Sequence, residues 1–573
     1  MTTRTLTPDP RKHPTPAEPA GSRRRRGAED WTLRYAPRSH RRWTPAVVAG
    51  SALGGIAYLA DFSIGAGIGI AHGTVNAVGG ILIAAAIIFA SSLPPAYYAA
   101  RYNLDLDLIT RGAGFGYYGS VLTNLIFASF TFIFFATEGV IMAQGLRVGL
   151  GLPLWAGYLV STVLVIPLVA HGMGALAKLQ AWTSPPWLVM MVLPLAWLVW
   201  REPASVRAFA SYGGDHGGGA DPAAMMLAAG VCLSLIAQIA ENIDYLRFMP
   251  PRTPANRRSW WAAVLLGGPG WVLLGAAKQV IGVFLAVYVI AVLGGDAAGA
   301  REPVTQFLAV YRDLLPEWAA VAAAVALVVL SQVKINVTNA YSGSLAWTNA
   351  YTRLTRRYPG RFTFVLVNLA IALALMEFDM FAVLGAVLSF YSNLAIAWIV
   401  TVATDIAVNK MLLGLSPRRP EFRRGMLHEV NPVGVGSLLI SGGVSIAAYF
   451  GLLGPAVAPY SPLLAAGLAV TCTIALAAAT GGRHYLRRVD DGVGLPHLDE
   501  HGNPAADLLR CCVTGERFER PDMIASAAPG PDGRVQYISS LALATDRTGE
   551  HVLPPDGHAR LPERRSRRLR GAD

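Results

Sequence analysis

Several ionisable side chains stand deep inside apolar stretches of the sequence. Asp61, Glu138, Glu241, Lys278 and Lys334 each interrupt a run that is otherwise hydrophobic. On insertion scales, a charged group at the centre of a membrane helix costs about 3 kcal/mol, and such groups usually mark a site or a pathway. Acidic and ammonium groups at this depth can bind a polar solute, pair with each other or exchange protons. The sequence therefore predicts a polar site inside an apolar protein.

The stretch LVVLSQVKINVTNAYSGSLAW (327–347) is polar on two sides of a helix. One stripe carries Gln332, Asn336, Asn339 and Gly343. The other carries Ser331, Lys334, Thr338 and Tyr341. A helix of this kind cannot face lipid on either side, so we expect it inside the bundle, with Lys334 too deep to reach an interface easily.

A second polar face lies in LIAQIAENIDYLRFMP (235–250). Gln238, Glu241, Asn242 and Tyr245 recur at i, i+3, i+4 and i+7 and share one side of a helix. Two interpretations remain open. The face either lines a buried site, or it belongs to a helix end that reaches water just before Arg247.

Asp61 lies in GGIAYLADFSIGAGIGIAHG (54–73), shortly before Gly65, Gly67 and Gly69. Glycines beside a buried acid can mark a broken helix whose free carbonyls face a cavity. They can also allow two helices to pack closely. We expect a broken helix. Glu138 and Lys278 are equally deep, and either one is compatible with a structural ion pair or with a site.

Composition indicates a helical membrane protein. The chain is 53% hydrophobic and 15% charged, against about 25% charged residues in a soluble domain. The apolar residues form blocks of the length that a bilayer core of about 30 Å requires. We predict an all-α protein with about twelve spans. These are 45–72, 75–98, 118–146, 153–170, 177–200, 222–249, 260–294, 318–346, 362–376, 379–408, 433–453 and 459–481.

The basic residues predict the orientation. With the amino terminus inside, one set of loops carries 16 lysines and arginines and the opposite set carries 5, which places both termini in the cytoplasm. The net charge of +12 is then mostly a topology signal and does not indicate a nucleic-acid partner. We expect a basic, disordered cytoplasmic tail (1–44), a transmembrane domain (45–482), and a small or partly disordered cytoplasmic segment (483–573). The SRRRR run at 22–26 either contacts anionic lipid or is simply solvated.

Four segments together resemble the nucleobase–cation symporter family, the group of purine–cytosine, hydantoin and allantoin permeases. They are the glycine-rich first span, RYNLDLDLITRGAGFGYYG after the second span, LIAQIAENIDYLRFMP in the sixth, and SQVKINVTNAYSGSLAWTN in the eighth. The resemblance covers about residues 40–480. It implies a leucine-transporter-like fold, in which two inverted five-helix repeats enclose a site at mid-membrane and two further helices are peripheral.

The resemblance also implies where a solute would bind. In the family, aromatic and amide side chains of spans 1, 3, 6 and 8 hold the substrate. The candidates at these positions are Phe62, Phe132, Phe135, Gln238, Glu241, Asn336 and Asn339. Sodium-dependent members bind the cation with carbonyls of span 1 and hydroxyls of span 8. Here Lys334 falls in that part of span 8, and a charged lysine has no lone pair for sodium. We therefore expect Lys334 to act as a tethered cation that pairs with Asp61 or with span 1 carbonyls.

These observations favour a secondary transporter in the cell membrane that moves a small nitrogenous solute by alternating access. We expect transport to be independent of sodium. If transport is coupled to an ion gradient, we expect that ion to be the proton. The alternative is a transporter-like sensor that signals through residues 483–573. The sequence has no P-loop and no evident catalytic constellation. We expect no enzymatic activity, no metal site and no cofactor, and partners limited to the solute, the bilayer and protons.

Overall fold

The computed structural model describes residues 33–38, 41, 43–378, 384–488, 493, 508–546 and 553. Most of these residues are helical. The SRRRR run and the rest of residues 1–32 lie outside the described part of the chain, so the predictions made for them are not addressed.

The first half of the chain folds into helices α1 to α9. They are α1 (Pro45–Gly54), α2 (Ala60–Tyr102), α3 (Leu106–Thr110), α4 (Ser120–Leu150), α5 (Leu154–Ala170), α6 (Met173–Arg201), α7 (Pro203–Ser211), α8 (Pro222–Leu233) and α9 (Ile239–Leu246). Short 3₁₀ segments follow α1 (Gly55–Ala57) and connect α8 to α9 (Ser234–Gln238). Spans 1 and 6 of the prediction are thus both interrupted.

The second half contains helices α10 to α18. They are α10 (Arg257–Gly267), α11 (Trp271–Val287), α12 (Ala297–Ala300), α13 (Pro303–Leu314), α14 (Glu317–Thr355), α15 (Arg361–Glu377), α16 (Leu384–Thr404), α17 (Pro432–Tyr449) and α18 (Ser461–Ala479). Helix α14 carries both predicted polar stripes, and Lys334, Asn336 and Asn339 are all fully buried. It packs mainly against α4, which places the polar stretch inside the bundle, as predicted.

Within the described residues, nine helices are long and apolar enough to cross a membrane. The predicted spans 1 and 2 meet at Gly73, whose backbone is not helical (φ 75°, ψ 166°), so α2 consists of two helical halves separated by a kink at the predicted position. A side chain at Gly73 would collide with the backbone of Gly213, 2.4 Å away. The count of twelve spans therefore stays a prediction, while the helical membrane fold is confirmed.

The described parts of the two chain ends meet at one end of the bundle, here called the terminal face. The backbone N–H of Tyr35 donates to Asp522 Oδ1 (3.2 Å), and the guanidinium of Arg34 pairs with the same carboxylate (3.6 Å). Ala36 donates to the carbonyl of Asn103, just after α2. Residues 33–36 are thus packed in place, which differs from the disorder expected for the whole amino-terminal tail.

A small carboxy-terminal unit completes the terminal face. Strand β1 (Leu508–Arg510) pairs with β2 (Arg517–Glu519), and β3 (Met523–Pro529) pairs with β4 (Val535–Ser539), both antiparallel. Helix α19 (Ser540–Thr545) follows. The unit buries its own apolar cluster, which includes Phe518, Ile524 and Ile538 and extends to Met426 in the loop between α16 and α17. The carboxy-terminal unit is therefore packed against the helical bundle.

Candidate functional site

The candidate site is built around the break in the first span. Helix α1 ends at Gly54, the chain continues as a 3₁₀ turn, and Tyr58 is extended (φ −62°, ψ 156°). Helix α2 begins at Ala60. The carbonyls before the break carry partial negative charge and the N–H groups after it carry partial positive charge. A broken membrane helix therefore offers a cation site and an anion site side by side.

Lys278 of α11 occupies the cation side of this break. Its Nζ donates to the carbonyls of Ile56 (2.6 Å) and Tyr58 (2.9 Å). It also lies 2.9 Å from Asp61 Oδ2 and 3.7 Å from the centre of the Tyr58 ring. An ammonium has three donors; two of them bind the carbonyls, and the Asp61 carboxylate adds an ion pair. The lysine is thus a cation held against the carbonyls of span 1.

Two acids lie on the other side of the break. Asp61, in the first turn of α2, accepts a hydrogen bond from Gln279 Nε2 (2.8 Å) and forms an ion pair with Lys278. Glu138 of α4 accepts from the backbone N–H of Ala60 at 3.4 Å. Both side chains are fully buried. A carboxylate at a helix N-terminus is stabilised by the aligned peptide dipoles. The acids therefore lie at the N-terminal end of α2, and the ammonium lies at the C-terminal end of the helical segment before the break.

Lys334 does not make the predicted contact. Its Nζ donates to Thr183 Oγ1 (2.9 Å), Ser184 Oγ (3.0 Å) and the Gln180 carbonyl (3.3 Å), all on α6. Among the described residues, no carboxylate lies within 4.0 Å of it. The predicted pairing of Lys334 with Asp61 or with span 1 carbonyls is therefore wrong. Both lysines lie near the middle of their spans, but Lys278 points toward span 1 and Lys334 points toward α6.

The glycines of span 1 have a different role from the one predicted. The helix is broken before Asp61 and is regular through Gly65, Gly67 and Gly69. A Cβ on Gly65 would lie 1.9 Å from the Gln279 carbonyl, and one on Gly69 would lie 2.7 Å from Val283. These two glycines let α2 and α11 approach closely, as small residues do in membrane helices. The break itself was correctly expected, but it lies at Tyr58 and Leu59.

The candidate amides form two buried pairs. Gln238 Nε2 donates to Glu241 Oε2, and Asn339 Nδ2 donates to Asn336 Oδ1 (3.3 Å). Each pair leaves polar atoms without a hydrogen-bond partner among the described residues: Glu241 Oε1, Asn336 Nδ2 and Asn339 Oδ1. Buried polar atoms normally find partners. Unpaired donors and acceptors from spans 6 and 8 can therefore bind a polar solute.

Further buried polar atoms lack partners in spans 1, 3 and 8. Tyr58 Oη and Glu138 Oε2 have no hydrogen-bond partner in the described chain, and neither do the two amide atoms of Gln332. Unpaired buried groups thus occur on all four of the spans 1, 3, 6 and 8.

The three candidate aromatic residues differ in environment. Phe62 and Phe135 are fully buried, whereas Phe132 is only partly buried and packs on the edge of the core. The ring of Phe62 meets Phe307 edge to face, with centroids 5.1 Å apart. Because Phe62 directly follows Asp61, it lies next to the break. Phe132 is the weakest of the three candidates for contact with a buried solute.

Sequence reasoning left Glu138 and Lys278 undecided and overlooked Tyr58 and Gln279. The spacing of glycines in the sequence could have indicated the contact between Lys278 and Asp61. Asp61, Gly65 and Gly69 recur every four residues, so they share one face of α2. In α11 the glycines Gly275 and Gly282 flank Lys278, and Gly275 lies against Asp61. Helices that each carry a row of glycines on one face are expected to pack closely through those faces. Packing α2 against α11 in this way would have placed Lys278 opposite Asp61.

The described residues contain no group of three or more His, Cys, Asp or Glu side chains that could hold a metal ion. The four cysteines are all free thiols, with Cys232 and Cys511 buried. An ammonium, several carboxyl groups and several amides are available to bind a solute or to transfer protons.

A broken first span, an interrupted sixth span and a buried polar eighth helix define the multi-pass membrane-transporter fold of leucine-transporter type. The chain is similar to Mhp1, a nucleobase-cation-symport-1 family transporter, in its closed conformation with bromovinylhydantoin bound. The TM-score is 0.58 at 18% identity, over 79% of this chain and 96% of that one. The inward-facing conformation of Mhp1 gives a TM-score of 0.55 at 17% identity, over 81% and 99% of the two chains.

A Na⁺-coupled sialic acid symporter has the same fold, with a TM-score of 0.55 at 14% identity over 80% of this chain and 93% of that one. No protein-family model matches the sequence, and no curated protein matches it. At these identities the likeness establishes the fold. It confirms the leucine-transporter-like architecture expected from the sequence.

Proposed function

We propose that the protein is a secondary transporter that moves a small nitrogenous solute, nucleobase- or hydantoin-like, across the cell membrane by alternating access. The likeness to Mhp1 over most of both chains supports a transporter of this class. The unpaired buried atoms of spans 1, 3, 6 and 8 support a polar cargo. The sequence resemblance to nucleobase and hydantoin permeases points to the same kind of solute.

The observation that carries this proposal is the coordination of Lys278. Its ammonium lies on two carbonyls of the broken first span and on Asp61. Sodium requires oxygen ligands, and here these oxygens already bind a covalently attached cation. We therefore infer that solute binding does not require sodium, with Lys278 in the role first assigned to Lys334.

Solute recognition would use the unpaired amide and carboxyl atoms. Asn336 Nδ2 supplies a donor, whereas Asn339 Oδ1 and Glu241 Oε1 supply acceptors. The edge of a nitrogenous ring alternates N–H donors and carbonyl acceptors, and it can satisfy such a set. Phe62 and Phe135 would contact the faces of the ring. A site of this kind rejects analogues that leave its buried groups unpaired.

Proton coupling would act through Asp61. Protonation of its carboxylate would remove the charge opposite Lys278 and weaken the hold on the carbonyls of Ile56 and Tyr58. Because these carbonyls end the first half of span 1, the change would act on the segment that joins α1 to α2. A solute gradient or a proton gradient could then drive the conformational exchange. A permanently paired Asp61–Lys278 would instead suit a uniporter.

Uptake into proteoliposomes tests the proposal. The cargo is first selected by thermal shift from a panel of radiolabelled nucleobases, hydantoin and allantoin. We expect accumulation of the selected solute to be equal in sodium and in choline buffers. Strict dependence on sodium would contradict the tethered cation. A proton gradient imposed with and without an uncoupler distinguishes coupled transport from uniport.

A transporter-like sensor is the second candidate. It is favoured by the carboxy-terminal unit, which is held to the bundle by contacts such as Arg423 Nη1 to the Met523 carbonyl (2.8 Å). A sensor would bind the selected solute with the same affinity but would not accumulate it in proteoliposomes. Deleting residues 508–573 would leave transport measurable in a transporter and would abolish signalling in a sensor.

We further propose that both termini are cytoplasmic. The excess of basic residues in one loop set and the meeting of Tyr35 with Asp522 at the terminal face support this orientation. The test uses a variant without native cysteines that carries a single cysteine at Arg257 or at Arg207. An impermeant thiol reagent applied to intact cells should label position 207 and leave position 257 unlabelled, and the reverse result would invert the topology.

A further inference from the structure

An arginine-lined cavity opens at the terminal face, well away from the break in span 1. Its volume is about 220 Å³. Four of the residues that line it are Arg356, Arg424, Arg487 and Arg488. This arginine cavity plays no part in the function proposed above, which concerns buried groups of spans 1, 3, 6 and 8.

The four arginines come from three separate parts of the bundle. Arg356 follows the last residue of α14, where it has a left-handed backbone (φ 55°). Arg424 begins a 3₁₀ turn between α16 and α17, and Arg487 and Arg488 follow α18. The carboxy-terminal side of the cavity is formed by Leu543, Asp546 and Leu553. The cavity therefore lies at the junction of the transmembrane domain and the carboxy-terminal unit.

Two of the lining arginines have no acidic partner in the described chain. No ion pair involves Arg356 or Arg424 there, and the acidic lining residues among those described are Glu429 and Asp546. No ion pair joins Glu429 to any of the described arginines. Its main-chain carbonyl is used instead, accepting from the N–H groups of Tyr118 and Gly119. Like charges gathered in a concave site favour an anion that neutralises them.

Contacts with neutral groups hold the Arg424 guanidinium in place. Arg424 donates to the Leu543 carbonyl (2.5 Å) and to Tyr118 Oη (3.3 Å), and it lies over the Tyr117 ring at 5.4 Å. Carbonyl and aromatic partners fix the orientation of a guanidinium without neutralising its charge. A planar guanidinium held in one orientation can donate two parallel hydrogen bonds to the oxygens of a phosphate group.

The bias of basic residues toward the cytoplasmic side of a membrane protein explains why arginines occur in these loops. It does not explain why four from three segments line one cavity. The cavity is smaller than the roughly 300–1,000 Å³ of a pocket for a drug-sized ligand, so its occupant is small. We propose that the arginine cavity binds a phosphate-bearing anion, either a free phosphate compound or the head group of an anionic lipid.

Binding at this position would stabilise the contact between the two parts of the protein. The anion would join Arg356 and Arg424 of the bundle at a cavity whose other wall is the carboxy-terminal unit. A ligand that binds only the packed arrangement stabilises it according to its concentration relative to its Kd. The site thus provides a means by which phosphate or lipid composition would control how firmly the carboxy-terminal unit is held.

The experiment uses the full-length protein in nanodiscs of phosphatidylcholine and measures the unfolding midpoint during titration with inorganic phosphate. Sodium chloride of equal ionic strength serves as the reference. A second arm replaces part of the lipid with phosphatidylglycerol and omits phosphate. Arg356→Gln removes an exposed arginine of the cavity. Arg357→Gln is the matched control, because Arg357 is the next residue, is also exposed, and does not line the cavity.

We expect the midpoint to rise in at least one arm for the unmodified protein and for Arg357→Gln. In Arg356→Gln the apparent Kd should increase at least tenfold. Glu429→Gln removes an acid from the cavity and should lower the Kd. A rise with phosphate identifies a free anion, and a rise only with phosphatidylglycerol identifies a lipid head group. No rise in either arm, or equal responses of Arg356→Gln and Arg357→Gln, would overturn the proposal.

Discussion

Lys278 and Asp61 form a buried ion pair, with 2.9 Å between Nζ and Oδ2, directly at the break of the first span. The carboxylate belongs to the helix that starts after the break, and the ammonium also binds the two carbonyls before it. One side chain of α11 therefore bridges both halves of span 1. Any movement of one half relative to the other must change the coordination of this lysine.

This relationship predicts strong coupling between the two residues. Lys278→Met or Asp61→Asn alone leaves one buried charge without its partner, a change that typically destabilises a protein by about 3–5 kcal/mol. The double variant should be less damaging than the sum of the two. The measurement is a double-mutant cycle on solute affinity and on the unfolding midpoint.

The control cycle combines Asp61→Asn with Lys334→Met. Lys334 binds oxygens of α6, so its effect should add to that of Asp61→Asn within experimental error. Additivity in the Lys278 cycle together with coupling in the Lys334 cycle would mean that the two lysines have been assigned the wrong roles.

The sequence predicted correctly that the two lysine side chains are buried, but it did not predict which helix each of them faces. Position along an apolar run indicates that Lys278 and Lys334 lie near mid-membrane, because a helix rises by a fixed distance per residue. Which neighbour each lysine faces depends on how its helix is rotated in the bundle, and that rotation is set by packing. The glycine stripes at Gly65 and Gly69 carried this information, but they were interpreted as marking the break itself.

The buried polar stripes were predicted more successfully than their partners. Helical periodicity placed Asn336 and Asn339 on one face of α14, and the structure pairs them. Gln238 and Glu241, three residues apart, also contact each other. The contacts of Glu138 with Ala60 and of Gln279 with Asp61 join distant parts of the chain. No local pattern specifies such contacts, so they required the structure.

The amide candidates lead to a prediction for solute affinity. Gln238→Ala and Asn339→Ala each remove a side chain next to unpaired buried atoms, and each should weaken binding about tenfold, the equivalent of one hydrogen bond of about 1.4 kcal/mol. Asn242→Ala is the matched control. That amide donates to the Gly267 carbonyl in α10 (2.8 Å), so its loss should lower stability and leave affinity unchanged.

Isothermal titration with the selected solute measures these affinities, and thermal unfolding reports stability in parallel. If Gln238→Ala and Asn339→Ala both bind as tightly as the unmodified protein, the amides serve only helix packing. The solute would then occupy another part of the bundle.

The packing of α2 on α11 leads to a prediction for a glycine. Gly65→Ala would place a methyl group 1.9 Å from the main-chain carbonyl of Gln279. Relieving that clash must separate the helices, and overpacking of this kind usually destabilises by about 1–3 kcal/mol. Because Lys278 precedes Gln279, the displacement should also weaken solute binding. Gly67→Ala is the control, since nothing lies within 4 Å of its Cβ position.

Thermal unfolding of the two purified variants distinguishes these effects. Gly65→Ala should unfold several degrees below the unmodified protein. Gly67→Ala should match it or exceed it slightly, because alanine favours a helix over glycine. Equal midpoints for the two variants would show that α2 and α11 do not pack as closely as described.

The contact between the two chain ends should depend on pH through Asp522. Burial raises the pKa of this carboxyl to about 6 despite the nearby Arg34 guanidinium and the N–H of Tyr35. The unfolded value is near 3.8, so between about pH 4 and pH 6 the packed unit binds more protons than the unfolded one. Stability therefore falls as pH rises through this window and is constant above it.

Hydrogen exchange of residues 508–546 at pH 5 and pH 7, corrected for intrinsic rates, measures this dependence. Protection should be greater at pH 5. A pKa difference of about two units corresponds to roughly 3 kcal/mol at most. Asp522→Asn should reduce the difference, because an amide still accepts from Tyr35 but does not titrate. Asp532→Asn is the control, since that carboxylate is exposed in the turn between β3 and β4. If Asp522→Asn retains the full pH dependence, another group is responsible for it.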